Sequence, residues 1–143
     1  MKVRITRRDP SIALPARETA GAAGFDLAAS ADVTIEPGQI VLVPTGLIIR
    51  VPEGHFLGIF ARSSTPYKRG LVVPNGVGIV DSDYCGPEDE IKVQVLNITK
   101  EAVHLKKGDR IAQGIVLKFA VPEWDEGPVD SNASRGGFGS TGA

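Results

Sequence analysis

Seven short apolar runs, VTIEPGQ, IVLVPTG, LIIRVPEG, FLGIF, LVVPNG, IKVQVLNIT and IAQGIVLKF, follow one another with turn residues between them. Runs this short, rich in Val and Ile, leave little room for anything but strands, so an all-β domain is expected. In IKVQVLN the apolar Ile91, Val93 and Val95 alternate with Lys92, Gln94 and Leu96, the period of a strand with one buried face. Pro37, Pro44, Pro52, Pro74 and Pro122 fall at the borders of the runs, where a missing N–H breaks no ladder bond. One helical start stands out: in RSSTPYKRG, Ser64 or Thr65 is placed to cap and Pro66 to take the first helical position, with about two turns before Gly70.

A chain of 143 residues suits one domain with one core. Sixteen basic and 17 acidic residues leave a net charge of −1, too weak a field to hold a nucleic-acid backbone by counterion release. No apolar stretch reaches the length that crosses a bilayer, and MKVRITRRDP has no apolar run behind its charges, so a soluble, cytoplasmic protein is expected. With Cys85 as the single cysteine, and with His55 and His104 in no metal spacing, neither a disulfide nor a zinc cluster is available. The end of the chain, SRGGFGSTG, cannot bury a core of its own. Its glycines are costly to order, so it reads as a mobile arm, residues 127–143, on a body of residues 1–126.

Four segments of the body carry chemistry. GVGIVDSDYCG sets Asp81 and Asp83 between an apolar strand and an aromatic ring. A carboxylate at a strand end can orient a water for attack, or the DSD run can be a turn whose side chains accept bonds from their own backbone. RSSTPYKRG offers Arg62, two hydroxyls and a helix N-terminus, which are phosphate-binding groups or simply a capped helix with a solvated arginine. AGFDLAAS carries Asp26, a metal partner or a turn acceptor. In KKGDRIAQG, Gln113 follows Ile111 by two, so a regular strand would turn both to one side.

Taken in order, AGFDL, RSSTP, GVGIVDSDYCG, GDRIAQ and RGGFGSTG resemble the five motifs of the trimeric dUTP diphosphatases (dUTPases), over nearly the whole chain from Arg4 to Gly142. The resemblance implies a jelly-roll-like β subunit. It also implies a homotrimer whose C-terminal arm is exchanged to a neighbouring active site. The implied reaction is attack of water on the α-phosphorus of dUTP, giving dUMP and pyrophosphate, which limits uracil in DNA and supplies dUMP for dTMP synthesis. By position, Asp81 matches the aspartate that places the attacking water, and Tyr84 matches the tyrosine that leaves no room for a 2′-hydroxyl. Asn75 to Gly78 match the hairpin that reads uracil, and Arg62, Ser63, Ser64 and Gln113 match phosphate contacts. Asp26 matches the carboxylate that holds the water shell of Mg2+. In the arm, Phe138 matches the ring that stacks on uracil, Arg135 the group that reaches the terminal phosphates, and Gly139 and Ser140 further substrate contacts.

Two departures mark this chain. It reads RGGFG where many members read RGxGGFG, and it inserts Pro87, Glu88 and Asp89 where most pass from YxG almost directly into the next strand. A rival on the same fold, dCTP deaminase, needs a glutamate three residues before the asparagine of the following strand. Here Gln94 stands at that spacing before Asn97, and an amide cannot shuttle a proton. A non-catalytic regulator on the same fold is the other alternative, and intact Asp81, Tyr84 and Phe138 argue against it.

Overall fold

The alternation of IKVQVLN holds in three dimensions: Val93, Val95 and Asn97 point inward and Lys92 outward. The computed structural model describes residues 1–129 and 136–137. In chain order the elements are β1 (Arg4–Arg7), β2 (Phe25–Ala28), β3 (Val33–Ile35), β4 (Ile40–Pro44), β5 (Leu47–Arg50), β6 (His55–Ala61), α1 (Ser64–Arg69), β7 (Leu71–Val72), β8 (Gly78–Val80), β9 (Lys92–Asn97), β10 (Val103–Leu105) and β11 (Arg110–Lys118).

The strands pair antiparallel in four sheets, ordered β1-β5, β10-β3, β2-β11-β6-β8 and β4-β9-β7. Chain neighbours are seldom sheet neighbours. β11 runs between β2 and β6, and β9 between β4 and β7, so the fold closes through contacts far apart in sequence. The sheets wrap one core of small and medium aliphatic groups, among them Leu27, Ile35, Val43, Ile49, Leu57, Leu71, Val93, Val95, Leu105 and Ile111. The all-β expectation and the single core are therefore met. Among the described residues no helix is long and apolar enough to cross a membrane.

The helix begins differently from its expected form. Ser63 precedes it in a helical conformation (φ −52°, ψ −34°) with no side-chain cap, and Pro66 is its third residue rather than its first. Pro66 costs nothing there, because the first four N–H groups of a helix have no intrahelical acceptor. The Thr65 side chain is buried instead of capping, its hydroxyl donating to the Ile111 carbonyl (3.4 Å). Gly70 ends the helix at φ 62°, where a Cβ would come within 1.9 Å of Thr99 Cγ2.

β11 also departs from the regular strand. Its pairing with β2 shifts between Arg110 and Ala112, so Ile111 and Ala112 are both fully buried and Gln113 turns away from Ile111. A bulge spends one extra residue to reset which face the following side chains take. After β11, the Phe119 ring packs on Phe56 with centroids 6.3 Å apart, while Val121, Trp124 and Val129 lie 80%, 91% and 88% exposed.

Candidate active site

The bulge in β11 has a chemical result. Arg110 and Gln113 are three apart, a spacing that would put them on opposite faces of a regular strand. With the bulge, both face Asp26, which pairs in register with Gln113 across β2 and β11. The Asp26 carboxylate, 15% exposed, accepts from Arg62 Nε on one oxygen (2.7 Å) and from Arg110 Nη1 on the other (3.0 Å). Arg110 also pairs with Glu18, and these two carboxylates raise its pKa above the ordinary guanidinium value.

Arg62 meets Asp26 side-on through Nε, a contact that leaves the fork of terminal nitrogens as the natural edge for an anion. Gln113 is held by its Nε2 donating to the Ala61 carbonyl (3.0 Å). A Cβ on Gly24 would come within 3.1 Å of Gln113 Oε1, so the close approach of the AGFDL strand wants glycine. Asp26, Arg62, Ser63, Ser64 and Gln113 thereby line one cleft of about 290 Å³, with two hydroxyls, one guanidinium and the carboxylates of Asp26 and Glu18 on its wall. Behind α1, the Arg69 guanidinium (2.9 Å) and the Lys106 N–H hold the Asp109 carboxyl below its ordinary pKa, which ties the helix to the turn that precedes β11.

The other residues singled out in the sequence gather elsewhere. Asn75, Gly78, Asp81 and Tyr84 line a separate cleft of about 450 Å³, together with Ile59, Glu90, Ile91 and Gln94. Its hairpin turns at Gly76, where φ is +73°, and Gly78 sits close against Ile59, where a Cβ would be 3.1 Å from Ile59 Cβ. Asp81 stands exposed just past β8. The turn after it is closed by Tyr84 N–H donating to the Asp81 carbonyl (3.2 Å) and Cys85 N–H to the Asp83 carbonyl (2.9 Å). Main-chain oxygens accept these bonds, so neither carboxylate is used up in forming the turn. The segment is therefore a turn, but not one whose Asp81 and Asp83 side chains accept bonds from their own backbone.

The two clefts share no lining residue. Both draw on the sheet β2-β11-β6-β8, with β11 and β8 on either side of β6, about 10 Å apart at ordinary strand spacing, and the Asp81 cleft is also walled by β4 and β9. Arg110 and Glu18 were not singled out from the sequence, and the arginine of GDRIAQ carried the only signal for the first. Arg135, Phe138, Gly139 and Ser140 lie outside the described residues. Among the described residues, no three His, Cys, Asp or Glu side chains converge to hold a metal ion.

The dUTPase family model matches residues 11–142. The deoxyuridine 5′-triphosphate nucleotidohydrolase of Desulfitobacterium hafniense is 47% identical over 99% of this chain and 95% of its own. That of Lactococcus lactis is 41% identical over 95% of this chain and 92% of its own. Among solved structures, a dUTPase from Streptococcus mutans superposes with a TM-score of 0.79 at 39% identity, over 87% of this chain and all of that one. A Staphylococcus bacteriophage 80alpha dUTPase with dUpNHpp gives a TM-score of 0.86 over 99% of both chains, and at 22% identity it shows the shared fold.

Proposed function

The chain belongs to the dUTPase family, and from that premise we propose how its two clefts divide the hydrolysis of dUTP to dUMP and pyrophosphate. The cleft of Asp81 takes the nucleoside and the attacking water; the cleft of Arg62 takes the phosphates. The observation that carries this is Asp81 itself: an exposed carboxylate at a strand end, left free by its own turn, in one cleft with Tyr84 and Gly78.

Asp81 accepts a proton from water as the water oxygen bonds to the α-phosphorus. The bond from that phosphorus to the bridging oxygen breaks, and pyrophosphate leaves with the electron pair. Tyr84 packs beneath the deoxyribose and fills the space of a 2′-hydroxyl. The main chain of Asn75 to Gly78 reads the uracil edge, which excludes thymine by its methyl and cytosine by its exchanged donor and acceptor. Arg62, Ser63, Ser64 and Gln113 bind phosphate oxygens, and positioning with charge neutralisation supplies most of the rate.

Asp26 fits magnesium only through water. Both of its oxygens already hold guanidinium groups, and among the described residues no cluster of protein ligands lies near, so a magnesium ion would be held through its waters, with Asp26 accepting from them. When bound, such an ion adds charge neutralisation at the phosphates.

Residues 127–143 act as an arm on a body of residues 1–126, with Phe138 stacking on the base, Arg135 reaching the terminal phosphates, and Gly139 and Ser140 completing the closure. A homotrimer that brings the two kinds of cleft together between subunits is supported by their separation within one chain. Exposed apolar groups such as Ile40, Leu42, Ile79 and Trp124 give it surface to bury. Light scattering is expected to give the mass of three chains, and an active monomer would overturn the shared site.

The substrate reading is tested by pyrophosphate release in magnesium with dUTP, UTP, dCTP and dTTP. Turnover is expected with dUTP and only traces with the other three. A preference for dCTP would sink it, and Gln94 on the wall of the Asp81 cleft argues against that outcome because it lacks an acidic proton.

A further inference from the structure

We propose that the inserted Pro87, Glu88 and Asp89, with the Glu90 that follows them, form a brace that fixes Tyr84, with Asp89 and Arg8 as positioning residues for discrimination at the sugar 2′-carbon. The inference rests on the reading of Tyr84 given above. Tyr84 is 43% exposed and sits on a loop anchored upstream by β8. Downstream, the chain re-enters the core only at Ile91, 1% exposed, so the insertion would be a slack tether unless something closed it.

Asp89 closes it. Its Oδ2 accepts the Gly86 N–H at 2.7 Å while its own N–H donates to the Gly86 carbonyl at 3.1 Å, a two-way bond two residues beyond Tyr84. A Cβ on Gly86 would come within 3.0 Å of that oxygen, so the glycine lets the carboxylate approach closely.

The closed turn is then fastened to a rigid corner. Arg8 Nη1 donates to the Pro87 carbonyl (3.3 Å), and its Nη2 meets the Glu88 carboxylate (3.3 Å). Arg8 and Glu90 hold Gly46 through its two flanking peptide groups: the Arg8 main-chain N–H donates to the Gly46 carbonyl (2.9 Å), and Gly46 N–H donates to Glu90 Oε1 (2.7 Å). Glu90, with a side chain only 15% exposed, lines the same cleft as Asp81 and Tyr84. The Arg8–Glu88 pair is open to solvent and contributes little, whereas the bonds of Asp89 and Glu90 to main-chain N–H groups are short and charge-assisted. Asp89 therefore carries most of the effect and Arg8 a smaller share.

The test compares kcat/KM for dUTP and for UTP. Asp89→Ala is expected to lower the dUTP-to-UTP preference about tenfold, because the freed ring yields space to a 2′-hydroxyl. Asp89→Asn is expected to keep the preference, since an amide oxygen still accepts the Gly86 N–H. Weakened packing in general would lower both nucleotides together and leave the ratio in place. Tyr84→Ala is run alongside: if it leaves the ratio unchanged, the reading of Tyr84 fails and the brace falls with it. If Tyr84→Ala moves the ratio and Asp89→Ala does not, or if Asp89→Asn drops as far as Asp89→Ala, the brace alone is overturned. Should Asp89→Ala not fold, Arg8→Ala is expected to shift the ratio in the same direction by less, and an unchanged ratio overturns the proposal.

Discussion

Asparagine in place of Asp81 is expected to lower kcat for dUTP by about 10²–10⁴-fold while the dissociation constant for a non-hydrolysable analogue stays nearly unchanged. The substitution keeps shape and volume and removes only the capacity to take a proton from water. Its structural cost is small, because the turn that follows is built on the Asp81 and Asp83 carbonyls and not on their carboxylates. Asp81 is also exposed, so no buried partner is stranded. Asp83→Asn is the matched control, with a neighbouring exposed carboxylate in the same turn and an expected change of no more than a few-fold. Single-turnover kinetics set beside calorimetric titration separate the two steps. Asp81→Asn at wild-type turnover would remove Asp81 from the role of base.

The features legible in the sequence were those set by local pattern. The strands announced themselves because one face of each must be buried, and β9 keeps to this through Val93, Val95 and Asn97. Features decided by a partner strand were not legible. Whether Ile111 and Gln113 share a face depends on a bulge against β2, which no property of GDRIAQ specifies. The same bulge turns Arg110 toward Asp26, so this ion pair arose from register and not from composition. Asp81 could be read two ways for a related reason: a DSD run supports either acceptor pattern, and only the positions of the Tyr84 and Cys85 N–H groups decide. The start of α1 was misjudged because Thr65 found a buried acceptor across the fold, the Ile111 carbonyl, that outcompeted a local cap.

Asn97→Leu is expected to be among the most destabilising single changes in the body, by about 3–5 kcal/mol. Asn97 is 1% exposed at the end of β9, and its amide is bonded on both sides. Nδ2 donates to the Ile35 and Glu101 carbonyls (2.8 Å each), and Oδ1 accepts from the Thr99 N–H and hydroxyl (2.8 Å each). One side chain thus joins the β4-β9-β7 sheet to β3 and to the turn before β10, strands that otherwise pair only with each other. Leucine has nearly the same shape, so little packing is lost. The effect comes chiefly from the Ile35 carbonyl and the Thr99 N–H, each worth about 1–3 kcal/mol when left without a partner, whereas the exposed Glu101 carbonyl keeps the Thr99 hydroxyl (2.8 Å). For a chain of this length the melting temperature is expected to fall by roughly 10–15 °C. Asn97→Asp sharpens the point, because it keeps the acceptor for Thr99 and sets a second oxygen against two carbonyls. Its deficit is therefore expected to shrink as pH falls and the carboxyl gains a proton to donate. Calorimetry of both variants at pH 4 and pH 7 measures this. An Asn97→Leu protein melting within two or three degrees of the parent would mean that water replaces the amide at both groups.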